Sequence, residues 1–131
     1  MLDPEDPRSF VLQPVLERPT SMCQHALDAW VRRPEVLTDL SCIRDALYAA
    51  ARAGGAKVVG DAFHVVPNGA VTGVLLLAQS HLSIHTWPEH ALANVDLLSY
   101  GDVNGDDVTR ALCELLDVER AAVTAVPRAI G

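Results

Sequence analysis

The chain has 131 residues, half of them apolar and 21% charged, enough for one domain with a hydrophobic core. Its net charge of −7 argues against nucleic-acid binding, which wants a basic stripe, and its negative field favours a cationic substrate. No apolar run approaches 18 residues, no signal peptide opens the chain, and its three cysteines (Cys23, Cys42, Cys113) form no C-x-x-C, so the expectation is a cytoplasmic protein with no membrane partner.

Residues 1–20 carry Pro4, Pro7, Pro14 and Pro19 among several acids and read as an extended or disordered leader. Residues 21–131 read as one domain. His25 to Val31 is a first strand, with His25 as a structural histidine. Pro34 to Ala53 is expected as a helix, with Pro34 at its first position and Gly54-Gly55 at its end. Val36, Leu40, Ile43, Leu47 and Ala50 make its apolar stripe. Lys57 to Val66 is a strand, Pro67-Asn68-Gly69 a turn, and Val71 to Ala78 a buried strand. A polar strand follows, then a reversal around Pro88 to Leu92 and another strand from Asn94 to Ser99. Gly101 to Gly105 is a turn resembling a calcium loop only superficially, since Cys113 stands where the twelfth-position glutamate would be. Asn104 caps a helix from Asp106 to Leu116 with Val108, Ala111, Leu112 and Leu115 inward. Ala121 to Val126 is a last strand. Hairpin-length links favour an α+β fold: an antiparallel sheet with two helices on one face, a two-layer sandwich.

The densest chemistry lies in Gln79-Ser80-His81-Leu82-Ser83-Ile84-His85-Thr86-Trp87-Pro88-Glu89. As a strand it puts Leu82, Ile84 and Thr86 on one face and His81, Ser83, His85 and Trp87 on the other. By residue type alone this is a half-solvated strand with incidental histidines, a metal site, or nucleophilic serine chemistry. Metal is disfavoured, because His81 and His85 are about 13 Å apart on a strand and a zinc sits about 2 Å from each ligand. There is no G-x-S-x-G elbow, so acyl-hydrolase chemistry has no support.

Gln79 to Glu89, followed by Ala93-Asn94-Val95-Asp96 and Tyr100-Gly101-Asp102, resembles the prokaryotic S-adenosylmethionine decarboxylase proenzymes, whose pattern is E-S-H-x-[ST]-I-H-T-W-P-E, A-x-V-D and C-G. Phe63-His64 and Val71-Thr72-Gly73 extend the likeness, which covers about residues 22 to 127. The resemblance implies a self-cleaving chain. Ser80 would attack the carbonyl of Gln79, and elimination and hydrolysis would cut between 79 and 80 and leave a pyruvoyl group at residue 80. That ketone would condense with a substrate amine as a Schiff base and act as an electron sink for decarboxylation.

Carried over residue by residue, Ser80 is the pyruvoyl precursor, His85 the processing base and Thr72 the processing hydroxyl. Trp87 and Glu89 contact substrate. Val66 stands in the region where the family has a stacking phenylalanine. The chain departs from the pattern at Gln79, where the family has glutamate, and at Tyr100, where it has the catalytic cysteine. Tyr100 becomes the candidate proton donor. A phenol is a weaker acid than a thiol by about 1.5 pKa units, roughly 2 kcal/mol. The resemblance further implies a homodimer packed sheet to sheet in four layers, with sites shared across the dimer. The expected substrate is cationic S-adenosylmethionine, in spermidine synthesis. Arginine or ornithine decarboxylation and an unprocessed binding homologue are the alternatives. No metal is expected.

Overall fold

The structure, a computed structural model, describes residues 22–129. The expected leader, residues 1–20, lies outside them. Among the described residues the order is β1 (Met22–Val31), a 3-10 turn (Pro34–Thr38), α1 (Leu40–Ala53), β2 (Val58–Val65), β3 (Val71–Leu77), β4 (His81–Trp87), a 3-10 turn (Pro88–His90), β5 (Leu92–Ser99), α2 (Gly105–Leu115) and β6 (Val118–Arg128). The six strands form one antiparallel sheet in the order β2-β3-β4-β5-β1-β6.

Alternation along the strands builds the sheet's two unlike faces. In β1 every second residue is buried, and β3, β4 and β5 follow the same period. Leu27, Leu75, Leu82, Ile84, Val95 and Leu97 pack with Ile43 and Leu47 of α1 and Val108 and Leu112 of α2 in one core. Fully burying a side chain of this kind contributes about 1.5–3 kcal/mol, so this face carries the fold's stability. The opposite face keeps residues that are half-buried or exposed, and no described helix covers it. Gly73 is needed on the core face, because a Cβ there would lie 2.3 Å from the Phe63 ring on β2. No described helix is long and apolar enough to cross a membrane.

The expected helix from Pro34 is two elements. Pro34 opens a 3-10 turn, and Asp39 then takes an extended backbone (φ −97°, ψ 97°). Its carboxylate accepts from the Cys42 N–H at 3.1 Å and caps α1. The break shifts the upstream end of the stripe, so Leu37 rather than Val36 is the fully buried residue of the turn. Leu40, the first residue of α1, is exposed while Ile43, Leu47 and Ala50 stay buried. Thr86 fixes the 3-10 turn to the sheet: its buried hydroxyl accepts from the Val71 N–H at 2.8 Å and donates to the Leu37 carbonyl at 2.8 Å.

At the other end of the chain Asn104 caps α2 as expected, accepting from the Asp107 N–H at 3.0 Å. Leu115 faces out rather than in, and Thr109 and Leu116 take the buried positions. The strand expected to be buried, Val71 to Ala78, is β3 and buries only alternate residues, leaving Leu76 half exposed.

Candidate active site

The open face collects polar side chains because the strand registers line them up. His64 stands opposite Thr72, Thr72 opposite His85, His85 opposite Asn94, and Asn94 opposite Asp28. One lateral row therefore crosses five strands of the sheet. The His85 ring meets Trp87 edge-on, centroids 4.4 Å apart. The Trp87 indole N–H donates to Asn94 Oδ1 at 2.6 Å, and Asn94 Nδ2 donates to Asp28 Oδ1 at 2.7 Å. Glu89 is held from the β2–β3 turn, where Asn68 Nδ2 donates to its carboxylate at 3.1 Å. Asn68 Oδ1 in turn accepts from the Ala70 N–H, and the Val66 N–H donates to the Ala70 carbonyl. Thr72, His85, Trp87, Glu89 and Val66 thus gather at one end of the sheet.

Gln79, Ser80 and Tyr100 gather at the other end. Ala78 and Gln79 are the exposed tip of the β3–β4 hairpin, and Ser80 is half-buried beside them. The tip is closed by the Leu77 N–H donating to the Ser80 carbonyl at 2.9 Å and by the longer return bond at 3.4 Å. Non-glycine residues with positive φ are, among the described residues, Ala91 and Asp117, so the Gln79–Ser80 peptide carries no left-handed strain. Tyr100 follows β5 directly. The last ladder pair of β4 with β5 is His81 with Leu98, which puts Ser80 and Tyr100 just beyond the same edge of the ladder.

Behind Tyr100 a cavity is lined by Cys23, His25 and residues 101–106. His25 is buried there and ties β1 to α2 through Asp106 Oδ1 at 3.1 Å, the structural role its position in the first strand suggested. Burial pushes all three thiols up first, and neighbouring carboxylates add to it: Asp106 for Cys23, against a smaller lowering by a backbone hydrogen bond at Val126, Asp39 for Cys42, against a smaller lowering by Arg33, and Glu114 for Cys113.

From Ser80 to His85 is five residues of strand, about 16 Å. A single protomer therefore does not bring the serine to the histidine and threonine expected to act on it.

The family profile described as S-adenosylmethionine decarboxylase matches residues 24–129. The chain belongs to that family. Among its relatives, a protein from Pseudomonas paraeruginosa named S-adenosylmethionine decarboxylase proenzyme is 37% identical over 94 residues, covering 71% of this chain and 59% of the relative. The chain thus spans about three fifths of the length of that relative. One of the same name from Caldanaerobacter subterraneus subsp. tengcongensis is 40% identical over 96 residues, covering 72% of this chain and 77% of the relative. A crystal structure of the adenosylmethionine decarboxylase from Aquifex aeolicus superposes with a TM-score of 0.74 at 27% identity, covering 87% of this chain and 95% of that one. The family likeness and the α+β architecture read from the sequence both hold.

Asp28, Asn94, Asn68 and His64 had no role in the sequence reading of the site. Strand parity carries part of the signal: Asp28 alternates with buried Leu27 and Ala29, and Asn94 with Ala93 and Val95. Register carries the rest, and it is set by pairings between strands far apart in the chain.

Proposed function

We propose that this chain is a self-processing, pyruvoyl-dependent decarboxylase of S-adenosylmethionine, serving polyamine synthesis in the cytoplasm. The observation that carries this reading is the Gln79–Glu89 stretch of a family member, placed with Ser80 at the hairpin tip and His85 in the polar row.

In processing, Ser80 Oγ attacks the Gln79 carbonyl and the amide becomes an ester. Loss of the Ser80 α-proton breaks the ester Cβ–O bond and leaves Gln79 with a free carboxylate. One water then replaces the nitrogen at residue 80, which departs as ammonia, leaving the ketone. The site tolerates the cut. Both sides of the broken bond stay in the sheet through the Thr72–Leu76 ladder with β4, and β2 and β5 flank them. The pyruvoyl ketone supplies an electron sink for the loss of carbon dioxide. Tyr100, beside Ser80, donates the proton that replaces it. Trp87 offers an aromatic face, and Glu89, braced by Asn68, accepts hydrogen bonds from the substrate.

The separation of the two residue groups supports a homodimer joined open face to open face. A two-fold axis lying in the interface and across the strands sets each protomer's Ser80 end against its partner's His85 end. Each site then combines Ser80 and Tyr100 of one protomer with Thr72, His85, Trp87 and Glu89 of the other.

The test is the intact mass of the full chain under denaturing conditions, with a decarboxylation assay on S-adenosylmethionine. Fragments 1–79 and 80–131, together one water heavier and one ammonia lighter than the 14.1 kDa chain, with carbon dioxide release, are expected. A chain that stays whole after long incubation overturns the reading.

A further inference from the structure

Trp87 is held by a relay that spans three strands. Its indole N–H can only donate, and it donates to Asn94 Oδ1 at 2.6 Å. A carboxylate can only accept, and Asp28 Oδ1 accepts from Asn94 Nδ2 at 2.7 Å. An amide has two unlike ends, so Asp28 fixes which end of Asn94 faces the indole. With the amide reversed, its NH₂ would face the indole N–H and its oxygen would face a carboxylate, and both contacts would be repulsive. Among the described residues no cation pairs with Asp28, so its charge remains available to orient the amide. Asp28 and Asn94 are direct cross-strand partners, and the pair sits in the same row as His85 and Thr72.

We propose that Asp28 and Asn94 act together as positioning residues for the Trp87 indole, so that the pair sets how well the site grips its substrate. Trp87 needs such a brace. It ends β4 and is 39% exposed, and among the described residues its ring also has an edge contact with His85. The relay also places a negative charge behind the aromatic platform, which suits a cationic substrate. The inference rests on Trp87 as the substrate platform of the proposed site.

The test exploits the polarity of the relay. In Asn94→Asp the indole N–H keeps an acceptor, but the residue 94–28 bond is replaced by two facing carboxylates, whose repulsion pushes residue 94 out of its place under the indole. In the exchange D28N/N94D, the carboxylate at 94 accepts from both the indole N–H and the amide at 28, which restores the bond between 28 and 94 and the net charge. In the full chain, N94D should raise KM for S-adenosylmethionine about tenfold with kcat changed less than about threefold, and the exchange should return KM to near its starting value. Self-cleavage, read by intact mass, should proceed in all three chains. A second readout needs no turnover. In Trp30→Phe, Trp87 is the one tryptophan left, and its quenching by acrylamide should rise with N94D and fall back with the exchange.

Equal KM and equal quenching in N94D and the parent would overturn the positioning role. So would an exchange variant no better than N94D. A parent chain that never cleaves would count against the functional reading instead, and the quenching pattern would still decide the brace.

Discussion

The two faces of one sheet divide the labour of this protein. On β4, Leu82, Ile84 and Thr86 look into the core and are almost fully buried, while His81, Ser83, His85 and Trp87 look out. Neighbouring residues thus answer to different demands. The covered face is apolar because the helices supply matching apolar stripes. The open face is polar along one row because five strands bring one polar residue each to the same level. Stability and the proposed chemistry can therefore be changed separately, one residue apart.

The largest expected effect comes from the open side. His85→Ala should slow self-cleavage by about 100-fold or more, the loss usual for a positioned acid or base. Urea unfolding should shift by less than about 1 kcal/mol, because His85 is only half-buried. A stability loss as large as that of a core variant would erase the division between faces. One residue away, Ile84→Ala should do the reverse. Removing a side chain 2% exposed in the core should cost about 2–5 kcal/mol in urea unfolding. Any cleavage defect should track the unfolded fraction.

Thr86→Val sharpens the comparison, since it puts a methyl where the covered face has its one polar side chain on β4. The Val71 N–H and the Leu37 carbonyl would lose their buried partner, at about 1–3 kcal/mol, measurable in the same assay.

The smallest effect lies at the rim, where Tyr48 of α1 donates to Asp61 of β2 and Arg44 pairs with the same carboxylate. The Tyr48 hydrogen bond is the first reason Asp61 sits below its ordinary range, against a smaller opposing effect of burial, and Arg44 lowers it further. The same bond is the first reason the Tyr48 hydroxyl is pushed up, with burial and the charge of Asp61 adding. A lowered carboxyl stabilises the fold above its unfolded pKa, and that contribution is lost as pH falls through the folded value. A raised phenol stabilises below its unfolded pKa, and that contribution is lost as pH rises through the folded value. The tie therefore holds across neutral pH and fails at both extremes. Tyr48→Phe should be slightly less stable than the parent at neutral pH, and the gap should close in acid.

Much of this was legible before any coordinates. Apolar alternation marked which face of β4 was core, and Asn104 announced the start of α2. Gln79 to Glu89 carried the family. Asp39 capped α1 where the apolar period suggested continuity, and in α2 the buried stripe runs at i, i+4 through Val108, Leu112 and Leu116, which leaves Leu115 outside it. The spread of the site was legible through the resemblance, which implied a site shared across a dimer, and the strand reading of Gln79 to Glu89 held. The residues that line the row with His85 were not legible, because they come from strands paired far apart in the chain.

The central claim is that one site is assembled from both ends of the sheet, one end from each of two protomers. Co-expression of Ser80→Ala with His85→Ala chains, distinguished by a mass tag, tests it most directly. In the mixed dimer the His85→Ala chain keeps its own serine and meets the partner's His85, so it should be cut between Gln79 and Ser80 although it stays whole when made alone. If the His85→Ala chain remains uncut in the mixed dimer, while the parent chain cleaves normally, the shared site is wrong.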